Sequence, residues 1–298
     1  MSPHDETALF EELRPTLLGL AYRMLGSRAD AEDAVQDTFL KWKQADKGDI
    51  DNPSAWLTSA CTRRCIDLAR SAHRSRVDYV GPWLPEPVHT PTEGGAEEAL
   101  VLASSLTTAF LLMLERLTPK ERAAYLLHEV FDVSYPETAR TLAIEEAACR
   151  KLISRARASI DQAKVRHVTP VERQEQLLAA FKDAVVGGST EQLAALLSDD
   201  IELRADGGGK VPTLLQVLHG KAEVLEYLEQ KLRQYWDGYQ WTVADLNGGR
   251  GLVLRKGGHT VATASFAYDE AGRTTDIYII RNPDKLTGLD GVAALQEH

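Results

Sequence analysis

Two all-α domains followed by an α+β domain is the fold class predicted by this 298-residue sequence. Three observations carry that expectation. Apolar residues recur at helical spacing from Leu9 to about Arg76, and again from about Ala96 through the region around Arg150. A proline-rich stretch separates those two helical blocks. Towards the C-terminus the pattern becomes strand-like, with Asn-Gly-Gly, Gly-Gly and Asp-Glu-Ala-Gly turns between the segments. Helices first and a curled antiparallel sheet last indicate an α+β third domain.

The elements follow in order. Phe10, Leu13, Leu17, Leu20, Ala21 and Met24 define a first helix, which Gly26 closes. Ser27 with Asp30 caps a second helix, ADAEDAVQDTFLKWKQ. Asn52-Pro53 places a cap before a first-turn proline and so opens a third, running to about Arg76. From Tyr79 to Gly95 the chain carries four prolines and three glycines, the composition of a linker. It also displays Tyr79, Trp83 and Leu84, and exposed apolar groups on a proline-stiffened segment suggest a docking strand. Thr118, Pro119 and Glu121 form a capping box ahead of PKERAAYLLHEVF. Beyond Pro170 come a helix at 171–186, a short one at 190–197 and another at 221–234. Four strands follow: TVADL, GLVLRK, HTVATASFAY and TTDIYIIR. The domain boundaries read as 1–78, a linker at 79–95, 96–168 and 169–298.

The most informative stretch is SYPETARTLAIEEAACRKLISRAR, Ser134 to Arg157, which reads as a helix, a tight turn and a second helix. Ser134 and Glu137 form a capping box, and Cys149, Ile153, Ala156 and Ile160 make the apolar stripe of the second helix. Opposite the stripe lie Ala147, Arg150, Lys151, Ser154 and Arg155. Small side chains permit close approach to a DNA major groove, and Arg or Lys meets phosphate or guanine there. The pattern fits a helix-turn-helix.

Charge supports local rather than bulk contact with DNA. The chain is net acidic at −10, yet Arg63, Arg64, Arg70, Arg74 and Arg76 face only Asp67, and Arg150 to Arg166 face only Asp161. Two basic helices in an acidic body give specific contacts over a weak non-specific background. No apolar run is long enough for a bilayer, and the N-terminus lacks the regions of a signal peptide, so a cytoplasmic protein without membrane association is expected. Cys61 and Cys65 lie one helical turn apart with no His at ligand spacing, which favours buried packing over a metal site. His128 reads as a helix-surface or interhelix residue. No cofactor is implied.

AEDAVQDTFLKW, together with NPSAWLTSACTRRCIDLARSAHRSR, resembles region two of a bacterial RNA polymerase sigma factor of the extracytoplasmic-function (ECF) group, and the helix-turn-helix resembles region four of that group. Trp83-Leu84-Pro85-Glu86-Pro87 is similar to a linker motif of a subgroup carrying a fused SnoaL-like domain of the nuclear-transport-factor-two fold, a cone-shaped α+β architecture. Asp206-Gly207-Gly208-Gly209-Lys210 and Asn282-Pro283-Asp284-Lys285 match its two further signatures. The resemblance covers nearly the whole chain. Two positions depart from it: Ala143 stands where the turn usually has Gly, and Glu145 where the recognition helix usually has a Ser cap.

The resemblance implies an alternative sigma factor, not an enzyme. It would bind core RNA polymerase and direct it to −35/−10 promoters, with the C-terminal domain regulating in cis. Asp33, Asp37 and Phe39 would contact polymerase. Trp56, Arg63, Arg64, Arg70 and Arg74 would engage the −10 element, where melted bases stack on aromatic groups and arginines hold phosphate. Arg150, Lys151, Ser154 and Arg155 would meet the −35 duplex. Trp83 to Pro87 would dock beside Asp206–Lys210 and Asn282–Lys285, with Glu86 meeting a lysine, and so fix the placement of the two DNA-binding domains. The three glycines permit close backbone approach, and they do not form a phosphate loop because the six-residue spacing and the Ser/Thr after Lys are missing.

Two rival readings stay open at this stage. In one, a helix-turn-helix regulator is fused to a metabolite-converting SnoaL-like enzyme, with Asp206, His219, Tyr268 and Asp276 as an imaginable acid–base set. In the other, a free-standing repressor uses the helix-turn-helix alone, which the region-two-like residues before Arg76 argue against. A small-molecule ligand in the C-terminal pocket is also left open.

Overall fold

The computed structural model describes residues 3–90, 105–161 and 169–292, with the side chains of residues 3, 4, 72–77 and 161 outside that description. The Arg74 side chain, Lys164, Arg166 and the helix expected from Ala96 therefore lie outside the described residues. Contacts divide the chain into two compact units, Met1–Asp78 with Met113–Ala163 and Tyr79–Leu112 with Lys164–His298. The linker thus groups with the C-terminal domain.

In the first unit, α1 (Pro3–Leu25) ends at Gly26, whose φ of 66° is left-handed. α2 (Arg28–Gln44) opens on Ser27, whose hydroxyl accepts the Asp30 N–H at 3.3 Å. α3 (Pro53–Val77) opens on Asn52, whose side-chain oxygen accepts from Ala55 N–H at 3.0 Å. Each such cap is worth about 1 kcal/mol. The three helices close over Leu17, Leu20, Met24, Trp42, Leu57 and Cys61, all buried, and the Trp42 indole N–H donates to the Glu6 carbonyl at 3.1 Å. Cys61, Cys65 and Cys149 are buried free thiols.

α4 (Thr108–Leu114) spans the division between the units. α5 (Pro119–Tyr125) opens on the complete Thr118–Glu121 capping box and runs into a π turn at Leu126–Val130. α6 (Tyr135–Leu142) and α7 (Glu146–Asp161) make the helix-turn-helix. Cys149, Ile153, Ala156 and Ile160 are buried and the opposite face of α7 is exposed, as its spacing requires. Each buried Ile contributes about 1.5–3 kcal/mol. Arg122 is buried and joins α5 to α1: its Nη1 donates to the Met24 carbonyl at 2.7 Å, and its Nε to the Leu114 carbonyl at 2.9 Å. Glu115 pairs with the same guanidinium at 2.7 Å.

The turn after α6 is a Schellman motif built on the wrong residue. Ala143 sits at φ 51°, ψ 54°, while Ile144 N–H donates to Ala139 O at 3.1 Å and Ala143 N–H to Arg140 O at 3.2 Å. A Cβ in this conformation costs about 1–2 kcal/mol.

The second unit begins with the linker and continues with α8 (Val171–Gly187), α9 (Glu191–Leu196), β1 (Leu197–Asp206) and β2 (Leu218–His219). The helix expected at 221–234 runs as α10 (Lys221–Tyr227), a π turn at Leu228–Leu232 and α11 (Arg233–Trp236). β3 (Gln240–Leu246), β4 (Gly249–Lys256), β5 (His259–Tyr268) and β6 (Thr274–Ile280) match the four strands read from sequence. β1 and β2 were not among them. The order is β2-β1-β6-β5-β4-β3, and β1 runs parallel to β6, so the sheet is mixed rather than wholly antiparallel.

Both faces of this sheet are buried. Leu203, Ala205, Leu252, Leu254, Ala264, Ile277 and Ile279 pack with Leu177, Phe181, Val224 and Trp236 from the helices. On the other face Leu246, Val253, Tyr278 and Ile280 are covered by Leu84 of the linker, Ala109 of α4, and Leu286, Leu289 and Val292. Double burial explains why Ile277 to Ile280 reads as a continuous apolar run. Among the described residues no helix is long and apolar enough to cross a membrane, and no cluster of His, Cys, Asp and Glu is placed to hold a metal ion.

Replacing Ala143 with Gly should stabilise the helix-turn-helix by up to about 1 kcal/mol, because relief of the left-handed Cβ outweighs the added unfolded-state entropy. Slower hydrogen exchange at the α6 amides would register it; unchanged or faster exchange would show that the turn is not strained.

Candidate nucleic-acid interface and linker-docking site

The exposed face of α7 carries Ala147, Arg150, Lys151, Ser154 and Arg155. Two of its cations already have partners. Arg150 pairs with Glu146 at 2.6 Å and lies over the Tyr135 ring at 4.0 Å; Arg155 pairs with Glu121 at 3.2 Å. Such exposed pairs are worth at most about 1 kcal/mol, so phosphate can displace them. His128 stacks on Tyr135 with centroids 3.9 Å apart, between helices as its sequence position suggests.

The region-two residues are engaged as well. Arg63 on α3 donates from Nε to the Thr141 carbonyl at 3.0 Å and from Nη2 to the Arg140 carbonyl at 3.2 Å, so it caps the C-terminal end of α6. Ser59 shares a hydrogen bond with the Thr141 hydroxyl at 2.7 Å. Arg64, expected on DNA, pairs at 2.7 Å with Asp37, expected on polymerase. Arg70 is exposed and 3.5 Å from Asp67. Trp56 is half-buried against Trp42, with centroids 5.5 Å apart, and lines a hollow of about 460 Å³ with Asp51, Asn52, Arg63 and Arg140. Asp33 is exposed, and Phe39 is half-buried against Phe10 at 4.6 Å.

The linker motif and the two C-terminal motifs meet at one carboxylate. Asp206, at the end of β1, is 0% exposed. Its Oδ1 accepts from the Tyr79 hydroxyl at 2.6 Å and from Gly208 N–H at 3.0 Å. Its Oδ2 accepts from Leu84 N–H at 2.9 Å and from Lys285 Nζ at 2.7 Å. Lys285 Nζ also donates to the Leu84 carbonyl at 2.6 Å and lies 4.6 Å from the Trp83 ring centroid. The Asn282 amide donates to the Tyr79 oxygen at 2.9 Å, while the Arg281 and Asn282 N–H groups donate to the Asp206 carbonyl at 2.7 and 3.0 Å. Leu84, Pro85, Glu86 and Pro87 are buried and Trp83 is half-buried. Lys210 pairs with Asp284 at the exposed rim.

The glycines divide their work. A Cβ on Gly208, whose φ is 60°, would strike the Asn282 side chain; one on Gly209, at φ 70°, would sit 3.1 Å from Val80 of the linker. Close approach is therefore needed on two sides, by Asn282–Lys285 and by the linker. Pro283 opens the short 3₁₀ turn that holds Asp284 and Lys285.

Tyr79 is the residue that sequence reasoning undervalued, since it was marked only as an exposed apolar group. Burial first, and then the adjoining Asp206 carboxylate, push its phenol well above the ordinary value of 10.0, so it stays a neutral donor. The imagined acid–base set does not assemble. Tyr268 packs with the helix-covered core, whereas Asp276 pairs with Arg204 at 2.6 Å, His219 with Glu202 at 3.0 Å, and Asp206 is occupied by the linker.

Comparison with known proteins shows the family. Residues 9–75 match the family model described as Sigma-70 region 2, and residues 107–160 match that of Sigma-70, region 4. The ECF RNA polymerase sigma factor SigJ of Mycobacterium tuberculosis is 33% identical, over 95% of this chain and 94% of its own length. The probable ECF sigma factor SigI of the same species is 29% identical over 97% of this chain and 98% of its length. The crystal structure of SigJ superposes with a TM-score of 0.74 at 30% identity, covering 95% of this chain and 98% of that one. The chain belongs to the ECF RNA polymerase sigma factors. It is an alternative sigma factor that works with core RNA polymerase and promoter DNA to direct transcription initiation, a transcription factor rather than an enzyme.

Two outcomes test the docking site. Asp206→Asn keeps the shape but leaves the half-buried Lys285 without its counter-charge, which should weaken linker docking by about 1–3 kcal/mol; Lys285→Met in the same chain should restore part of it. Exchange of the Leu84 amide reads both variants. The neutral Tyr79 phenol stabilises docking fully below its ordinary value of 10.0, and that contribution is lost as pH rises beyond it. Docking should therefore loosen on the alkaline side of about pH 10, and Tyr79→Phe should remove this dependence in a pH series of linker proteolysis.

Proposed function

We propose that the C-terminal domain regulates this sigma factor in cis by holding the linker between regions two and four. The observation that carries the reading is the burial of Asp206 under Tyr79 and Leu84, with Lys285 closing the contact. A docked linker limits where the two DNA-reading regions can travel. In this reading Arg150, Lys151, Ser154 and Arg155 contact the −35 duplex, Arg63, Arg64, Arg70, Arg74 and Trp56 engage the −10 element, and Asp33, Asp37 and Phe39 meet polymerase. Arg63 leaves the end of α6 when it takes phosphate. The protein acts in the cytoplasm, beside polymerase.

A small-molecule effector of this domain would enter the cleft of about 750 Å³ lined by Lys182, Arg233, Trp236, Tyr239 and Trp241. A lining of cations and aromatic side chains suits a planar anion. Titration of a panel of aromatic carboxylates against tryptophan fluorescence would detect one.

In vitro transcription with core polymerase tests the main proposal. Trp83→Ala and Glu86→Ala should change promoter output at equal protein level, and a chain ending before Asn282 should differ in output from one ending after Lys285. A gain on truncation makes the domain a restraint, and a loss makes it an activator. Identical output from all of these proteins would exclude regulation through the linker.

A further inference from the structure

The linker touches the C-terminal domain at a second place, away from Asp206. At the tip of the β3–β4 hairpin, Asn247 and Gly248 have φ of 51° and 76°, the paired left-handed conformation of a type I′ turn. Asn247 is 3% exposed. Its backbone N–H donates to the Val88 carbonyl at 2.9 Å, and its side-chain oxygen accepts from Val88 N–H at 3.2 Å. Two residues on, Thr90 N–H donates to the Asp245 carbonyl at 3.0 Å, and the Thr90 hydroxyl accepts from Gly248 N–H at 2.8 Å. Between them His89 forms an antiparallel bridge with Leu246 while staying exposed to solvent.

The tip is itself braced. Asp245 is 4% exposed and pairs with Arg250 at 2.8 Å. Gln174 on α8 accepts from Arg250 N–H at 2.8 Å and donates to the Thr169 carbonyl at 2.7 Å. A type I′ turn requires left-handed residues, which Asn-Gly and Gly-Gly both supply. The turn alone does not explain why Asn247 is inward and bonded to a segment 159 residues away.

We infer that the β3–β4 tip is a second docking site for this chain's own linker, with Val88–Thr90 as its occupant and Asn247 as the residue that selects it. The strand edge recognises the linker by backbone groups of Val88 and Thr90, with His89 bridging between them, so the Val88 and His89 side chains are free to vary, whereas Asn247 is not. The inference rests on the linker-docking reading above and extends it from one anchor to two. Leu84 and Val88 are four residues apart, a reach of at most about 14 Å. While one anchor holds, the other segment remains at high effective concentration and rebinds. Release of the linker is therefore cooperative, and a signal that opens only the Asp206 contact leaves the chain tethered.

Hydrogen exchange on the full-length protein tests this directly. Asn247→Gly retains the turn but deletes the side-chain acceptor, and should speed exchange at Val88 by about three- to tenfold. Asn247→Asp restores the acceptor and should restore protection. Trp83→Ala should speed exchange at Leu84 while Val88 and Thr90 stay protected. The Asn247→Gly/Trp83→Ala pair should accelerate all three by more than the product of the single effects. The inference is overturned if Asn247→Gly leaves Val88 unchanged, if Asp behaves like Gly, or if the effects only multiply. Faster exchange throughout the β3–β4 ladder would equally overturn it, since the hairpin and not the docking would then have been weakened. Because the readout is exchange, unaltered promoter output alongside cooperative exchange would sink the regulatory proposal and leave this one standing.

Discussion

A carboxylate with no exposed surface has to be neutralised and fully hydrogen-bonded, and at Asp206 that demand is met by groups from far-apart parts of the sequence. The linker brings a phenol and an amide, the glycine loop a second amide, and the Asn282–Lys285 turn an ammonium. The glycine loop and the Asn282–Lys285 turn are held on Asp206 by their own bonds, and the linker completes the set. Removing Lys285 leaves the buried carboxylate without its counter-charge, a cost larger than the net worth of any one of the bonds. The three short motifs thus meet at one carboxylate although more than 120 residues separate Leu84 from Asp206.

The same logic extends to the sheet. An antiparallel sheet can leave one face to water, but here that face is covered by Leu84, by Ala109 and by the turns after β6. Lifting the linker exposes apolar sheet as well as breaking polar bonds, so the linker is part of a core rather than a spacer. This is the physical content of its unusual composition. Prolines at 82, 85 and 87 restrict the free chain, reducing the entropy lost when the segment docks, and Leu84 contributes the buried area.

Much of this was legible in the sequence because it depends on local rules. The caps at Ser27, Asn52 and Thr118 all form where residue type and spacing put them. The exposed cationic face of α7 follows from a simple period, and the left-handed Ala143 from its place in a turn motif. β1 was missed for an equally definite reason. Its core face, Ile201, Leu203 and Ala205, alternates with Asp200, Glu202, Arg204 and Asp206, residues that strands disfavour unless something pairs them. What pairs them is non-local: β2, β6 and the linker. Tyr79 and Asn247 were undervalued for the same cause, since a phenol in a linker and an asparagine in a turn look ordinary until the partner segment is in place.

The arginines proposed to meet DNA carry a consequence for how such a protein responds to ionic strength. Arg63 rests on helix-end carbonyls, while Arg64, Arg150 and Arg155 each face a carboxylate of the same chain. These are built-in counterions. When phosphate replaces them, nucleic acid sheds condensed cations, but the liberated carboxylates gather cations back from solution. Net ion release is then smaller than the number of phosphates touched, and affinity falls less steeply with added salt than that number implies. If these self-neutralised arginines are the ones that read DNA, the protein gives up part of the entropic drive that ordinary basic proteins use, and gains weak attachment to DNA at large.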